Sequence, residues 1–269
     1  LLKVLNLVRI KRLPASVRLY RSNYHSSLTL LNILVLILIY VPSVHAYLKL
    51  PNGLNSEERK EVMRNIGFSA ATKNVANGYL LGGYDGIEFS TQLESIPFSS
   101  INAISLTSIN QSNEFLPRLG IAKGFYHDLE VSFQFIPFFL QTEMSGYSGS
   151  LKYTFYEDEE WPLNIDYILH GGGINFANLL GIQSVGMDLV ANYFKKYWTF
   201  YLGFGQTRII GTFIGGNNGL TDDNLTATED LAQNRIFAGL AYDFQTFQMG
   251  IQAERFYETV FNLKIGKRY

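Results

Sequence analysis

Cysteine is missing from all 269 residues. That removes a disulfide framework, a thiolate metal site and a cysteine nucleophile from the possible explanations. Charge is scarce, with Asp, Glu, Lys and Arg making up 17% of the chain. Long apolar runs are scarcer still: residues 30–41, "LLNILVLILIYV", form the clearest one, broken by Asn32. A mean hydropathy of +0.04 excludes a bundle of apolar membrane helices. It does not exclude a membrane barrel, whose strands dilute apolar residues with polar ones. Acid is absent before Glu57, while Lys3, Arg9, Lys11, Arg12, Arg18 and Arg21 fall in the first 46 residues. Removing those six from 22 bases leaves 16 against 23 acids, a net of −7 from Tyr47 onward. An acidic chain lacks the general attraction to phosphate backbones that nucleic-acid binding uses, so that class is set aside.

The basic stretch, the short apolar run and the small residues Val44 and Ala46 around His45 read as a secretory signal peptide over residues 1–46. The run is too short for a spanning helix of about 20 apolar residues. After it, "LNSEERKEVMRNIG" predicts one helix. Asn55 or Ser56 can cap it, Glu57 and Glu58 suit its N-terminal end, and Gly67 can end it. Residues 47–86 are therefore expected as a periplasmic segment with a short helix, resting on a barrel rim or folded into its mouth.

From Ile87 the period changes from 3.6 to 2. "LEVSFQF" sets Leu129, Val131, Phe133 and Phe135 against Glu130, Ser132 and Gln134; "WTFYLGF" puts Trp198, Phe200, Leu202 and Phe204 on one face. About ten such segments fit residues 87–269, each long enough for a tilted membrane strand. The links alternate in size. Residues 126–128, 157–161, 195–197 and 245–246 are tight; residues 97–117, 138–146, 171–181 and 214–234 are read as long loops. Short turns on one rim and long loops on the other predict a transmembrane antiparallel up-and-down β-barrel of about ten strands, with eight or twelve as alternatives.

The terminal stretch "VFNLKIGKRY" alternates to the last residue, with Phe261, Leu263, Ile265 and Tyr269 on one face and Lys267 as the exception. It resembles the C-terminal signature of bacterial outer-membrane barrels, whose last strand ends on an aromatic. The resemblance implies an outer-membrane location, insertion by the barrel-assembly machinery, and Phe261, Leu263, Ile265 and Tyr269 as the insertion signature. "LGGYDGIEFS", "PRLGIAKGFYHDLEV" and "GTFIGG…GLTD" also resemble a group of barrels from delta-type proteobacteria, a likeness that supplies no activity.

In such a barrel the polar face lines the lumen. Glu88, Glu130, Lys152, Asp166, His170, Asp188, Asp243, Glu254, Lys264 and Arg268 are the expected lumen residues, their acids and bases pairing inside. No catalytic residue, metal or cofactor is expected. The enzyme alternative rests on His170 in "HGGGINF", where the position two residues on is Gly172 and the serine nucleophile of lipid A deacylases is missing. "TDDNLTATED" (residues 221–230) lacks calcium-loop spacing. A soluble lipocalin-like carrier obeys the same alternation with its faces inverted. The expected function is a non-enzymatic barrel that passes or binds small solutes, with outer-membrane lipid and lipopolysaccharide as surroundings.

Overall fold

A computed structural model describes residues 50–75, 81, 84, 86–97, 113–125, 128–139, 144–158, 160–216, 219–244 and 247–269. The expected signal peptide, His25, His45 and His127 lie outside the described residues.

Ten strands close into one antiparallel barrel. They are β1 (Ile87–Pro97), β2 (Asn113–Phe125), β3 (Leu129–Phe139), β4 (Met144–Asp158), β5 (Leu163–Phe176), β6 (Leu180–Lys195), β7 (Trp198–Phe213), β8 (Ala227–Asp243), β9 (Phe247–Arg255) and β10 (Thr259–Arg268). Each strand pairs with its sequence neighbour. β10 closes the ring on β1 with Leu263 opposite Leu93 and Arg268 opposite Glu88. Closure leaves no unpaired edge, which a sheet in hydrocarbon cannot tolerate.

The alternation aims apolar side chains outward. Phe133, Leu151, Val185, Phe200, Leu202, Phe204, Ile236, Ile251 and Phe261 are exposed on the outer face. A soluble protein rarely carries so continuous an apolar surface. The inverted, lipocalin-like arrangement is thereby ruled out for this part of the wall. Near the rim with the short turns, Trp198, Tyr242 and Tyr197 cluster in an aromatic girdle, with Trp198 and Tyr242 ring centroids 4.7 Å apart edge to face. Lys267, the exception on the apolar face, sits here. Its ammonium lies 4.7 Å from the Tyr269 ring and 5.6 Å from the Phe247 ring, so the charge remains at the interface.

Strand lengths hold a finding that the alternation did not foretell. β7 and β8 run 16 and 17 residues, more than the roughly 9–11 a membrane crossing needs. Their upper halves swap chemistry without swapping register. Outward positions become Gln206, Arg208, Asp230 and Asn234, while inward ones become Ile209 and Phe213. β5 and β6 do the same, with Ile174, Phe176, Leu180 and Ile182 buried inside. The lower storey is thus apolar outside and mostly polar inside, with Ile168, Val190, Tyr201 and Phe237 as an inner apolar cluster; the upper storey has the reverse polarity, as in water.

The expected bounds of the long loops need correction. Residues 171–181 are not a long loop: β5 continues to Phe176, β6 starts at Leu180, and Ala177 and Asn178 turn the chain with positive φ of 49° and 57°. The glycine run in "HGGGIN" reads as loop because glycine is a poor strand former in isolation, yet Gly171, Gly172 and Gly173 pair with Val185, Ser184 and Gln183. Likewise β2 starts at Asn113, so residues 113–117 belong to the wall rather than to a loop. The link expected over residues 214–234 is shorter, because β8 already starts at Ala227, and the one expected over 138–146 loses its ends to β3, which reaches Phe139, and β4, which starts at Met144.

Candidate functional site in the barrel lumen

Helix α1 (Ser56–Ile66) begins in a capping box: Asn55 Oδ1 accepts from the Glu58 backbone N–H, and Glu58 Oε2 accepts from the Asn55 N–H. On the exposed side, Lys60 bonds Glu57 and draws its carboxyl below the ordinary value. The other side is a stripe of Val62, Met63 and Ile66, all fully buried. They fill the upper storey against Ile209, Phe213 and Leu220. At roughly 1.5–3 kcal/mol per fully buried apolar side chain, this face seats the helix without help from its propensity.

Expected on a barrel rim or folded into its mouth, the helix fills the mouth, and residues 67–75 continue into the lumen. The segment enters at the rim opposite the short turns. Leu54 donates its N–H to Leu220 O at 2.7 Å and forms a parallel bridge to Thr221 in the β7–β8 link. Arg59 reaches Glu229 Oε1 at 2.9 Å and Leu54 O at 2.8 Å. Phe68 stacks on Phe256 of the β9–β10 link, centroids 3.9 Å apart. A 3-10 turn (Gly67–Ala70) then leads the chain down the lumen. Ser184 Oγ donates to Ala70 O at 2.9 Å, and Thr72 Oγ1 donates to Gly149 O at 2.9 Å.

Below the turn stands a buried charge cluster. Lys73 Nζ lies 3.2 Å from Glu94 on β1 and 3.3 Å from Glu254 on β9. Arg118 Nη2 meets Glu94 at 2.6 Å and donates to Ser69 O. Arg235 bridges Glu254 at 3.0 Å and Asp188, its Nε donating at 2.6 Å. Three cations, Lys73, Arg118 and Arg235, thus face three carboxylates, Glu94, Glu254 and Asp188. Each ion finds opposite charge and hydrogen bonds, the condition under which burial of charge is tolerable. Asn74 Nδ2 adds a bond to Asp188 at 3.2 Å, and Gln134 Nε2 donates to Lys73 O at 2.8 Å.

A second polar tier lies nearer the short-turn rim. Lys152 pairs with Glu130 at 3.0 Å. Asp166 accepts from Thr154 at 2.6 Å and from Asn192 at 2.8 Å. Lys264 and Arg268 hold Glu88 at 2.5 and 3.2 Å, and Arg268 also reaches Asp243 at 3.1 Å. The ten lumen candidates therefore occupy the inner face, Asp188 and Glu254 in the middle cluster and the others around or below it.

Lys73, Arg118 and Arg235 are not foreseen as site residues, though with Glu94 they form the centre. Arg235 is legible in retrospect, because it continues the inward parity of Phe237. Arg118 is masked by its neighbour Pro117, and nothing local marks Lys73. His170 is buried, its Nε2 3.4 Å from Asp188 Oδ2 without hydrogen-bond alignment. A Cβ at Gly172 would collide with Ala70 O and Ser148. His170 thus lies buried where the N-terminal segment crosses the lumen. Among the described residues no cluster of three or more His, Cys, Asp or Glu is arranged to hold a metal.

A closed sheet with an apolar belt, an aromatic girdle and a polar interior is the architecture of an outer-membrane β-barrel, and the protein is an integral membrane barrel of that kind. No protein-family model matches the chain, and no curated protein matches it. Among solved structures, it is similar to the N-terminal β-barrel domain of Pseudomonas aeruginosa OprF, with 13% identity and a TM-score of 0.35 over 70% of this chain and 99% of that one. It is also similar to the KdgM porin in complex with disordered oligogalacturonate: 9% identity, TM-score 0.33, 68% of this chain and 98% of that one. A third likeness is to a loop L8 deletion mutant of OmpT, an outer membrane protein of Vibrio cholerae. There the identity is 13% and the TM-score 0.29 over 68% of this chain, which spans 62% of that one. These likenesses are of barrel architecture and carry no residue role to this chain.

Proposed function

We propose that this chain is a non-enzymatic outer-membrane barrel whose charge-lined lumen is a narrow passage for small polar solutes, closed in the described state by residues 54–75. The observation that carries the reading is Lys73, placed between Glu94 and Glu254 on different parts of the wall. The plug is held at that level by ion pairs and hydrogen bonds, contacts that water and solute ions can replace. Beneath it the wall carries the pairs Lys152–Glu130 and Lys264–Glu88 and, at the rim, Arg268, beside a buried apolar cluster of Ile168, Val190, Tyr201 and Phe237. Phe261, Leu263, Ile265 and Tyr269 serve insertion through the barrel-assembly machinery, and outer-membrane lipid and lipopolysaccharide surround the belt.

Planar-bilayer recording tests the passage. The wild-type chain is expected to stay closed, and a variant lacking residues 54–75 to conduct in small discrete steps. A gel comparing heated with unheated samples reports whether the variant has folded. A folded, plug-less barrel that passes no current would sink the proposal.

A further inference from the structure

The barrel wall is uneven in height, and its low side carries a feature that the passage does not use. β6, β7 and β8 run 16, 16 and 17 residues, whereas β9 and β10 run 9 and 10. On the lipid face of the low side, Ala238 and Ala253 stand opposite each other across β8 and β9. Phe200, Leu240, Ile251 and Phe261 surround these two small residues and leave a concavity of about 610 Å³. Arg255 follows Ala253 by two residues, so it shares the outward face and stands one step above the concavity. It pairs in register with Ile236 and Thr259, is exposed, and has no ion-pair partner among the described residues. Its height is where the belt ends: the next outward residues on β8 above Ile236 are Asn234, Ala232 and Asp230. The short turns mark the periplasmic rim, so this boundary belongs to the outer leaflet.

The geometry points to a binding site for one anionic, acylated lipid of the outer leaflet, with an acyl chain in the groove over Ala238 and Ala253 and a headgroup phosphate on Arg255. Lipid tails are as apolar as the wall, so the groove supplies shape rather than a hydrophobic gain. Selection falls to Arg255, whose planar guanidinium meets a phosphate through two parallel hydrogen bonds. A lone cation facing hydrocarbon on one side and headgroups on the other is matched in charge and position by such a lipid. The inference rests on the membrane placement of the belt and is independent of the passage; a barrel that never conducts can still hold the lipid.

Native mass spectrometry of the full chain in mild detergent tests it, with lipid A and its dephosphorylated form as probes. The wild-type chain is expected to retain one phosphorylated molecule. Arg255→Gln, and separately Ala238→Phe with Ala253→Phe, are expected to weaken retention by about tenfold or more. Both variants change outward positions, and heat-modifiability verifies that each has folded. Equal retention by either variant, or equal retention of the dephosphorylated lipid, overturns the site and assigns the bound molecules to general annular lipid.

Discussion

Lys73 shows how a single side chain decides whether the lumen is filled or open. Its ammonium lies 5.2 Å from the Phe256 ring centroid and completes a neutral set of six ions. Lys73→Met keeps the volume and leaves one carboxylate in excess. Urea unfolding in lipid vesicles is expected to show a loss of about 3–5 kcal/mol, the cost of an uncompensated buried charge. A loss under 1 kcal/mol would mean that water already reaches the cluster. Ala177 is the converse case, a residue whose side chain does nothing for its place. Its φ of 49° suits glycine. Ala177→Gly relieves that strain, offset partly by the freer unfolded chain, and a gain of about 0.5 kcal/mol is expected in the same titration. At this scale the sequence was half legible. Glu254 and Asp188 declared themselves by parity. Lys73 sits in a stretch without period, and its importance exists only once β1 and β9 stand on either side of it.

Among the elements, helix α1 was readable from its ends: the cap at Asn55, the acids after it, the glycine at 67. Where the helix goes was not readable, because its apolar stripe suits a barrel mouth and a barrel rim equally well. The cap matters for the closed state. Asn55→Ala removes the acceptor for the Glu58 N–H and is expected to cost about 1 kcal/mol, seen as faster proteolysis of residues 54–75 in the folded barrel. Unchanged proteolysis would show that packing of Val62, Met63 and Ile66 alone seats the helix. The strands teach a related lesson. Their alternation stated two faces but not which faced lipid, and above the membrane the two faces exchange roles. Isoleucines at 174, 182 and 209 continue the inward parity of His170, Asp188 and Thr207, so parity stays constant while polarity flips. A scan for apolar alternation ends at that flip and reports a loop, as it did for residues 171–181.

For the whole molecule, the described chain starts at one rim and finishes at the other. Leu54 is bonded to the β7–β8 link, while Tyr269 pairs with Ile87 at the rim of the short turns. Residues 52 and 53 are exposed at the rim of that link, and an outward-facing link would put them on the cell surface. The chain has no cysteine, so single-cysteine variants give a clean readout. A membrane-impermeant maleimide is expected to label Asn52→Cys on intact cells and to label Glu160→Cys, in a short turn, only after the cells are broken. The reverse pattern would turn the barrel upside down and move the plug to the periplasmic mouth.

The amino-acid order alone determined the strands, their approximate number, the short turns and the capped helix, because period, caps and turn residues are properties of neighbours along the chain. Only the closed ring decided that Lys73 meets Glu94 and Glu254, that His170 is buried, and that one wall is low enough to bring Arg255 to the lipid boundary. Those facts join residues tens to nearly two hundred positions apart. They depend on which strands become neighbours across a curved lumen, a relation that no local pattern records.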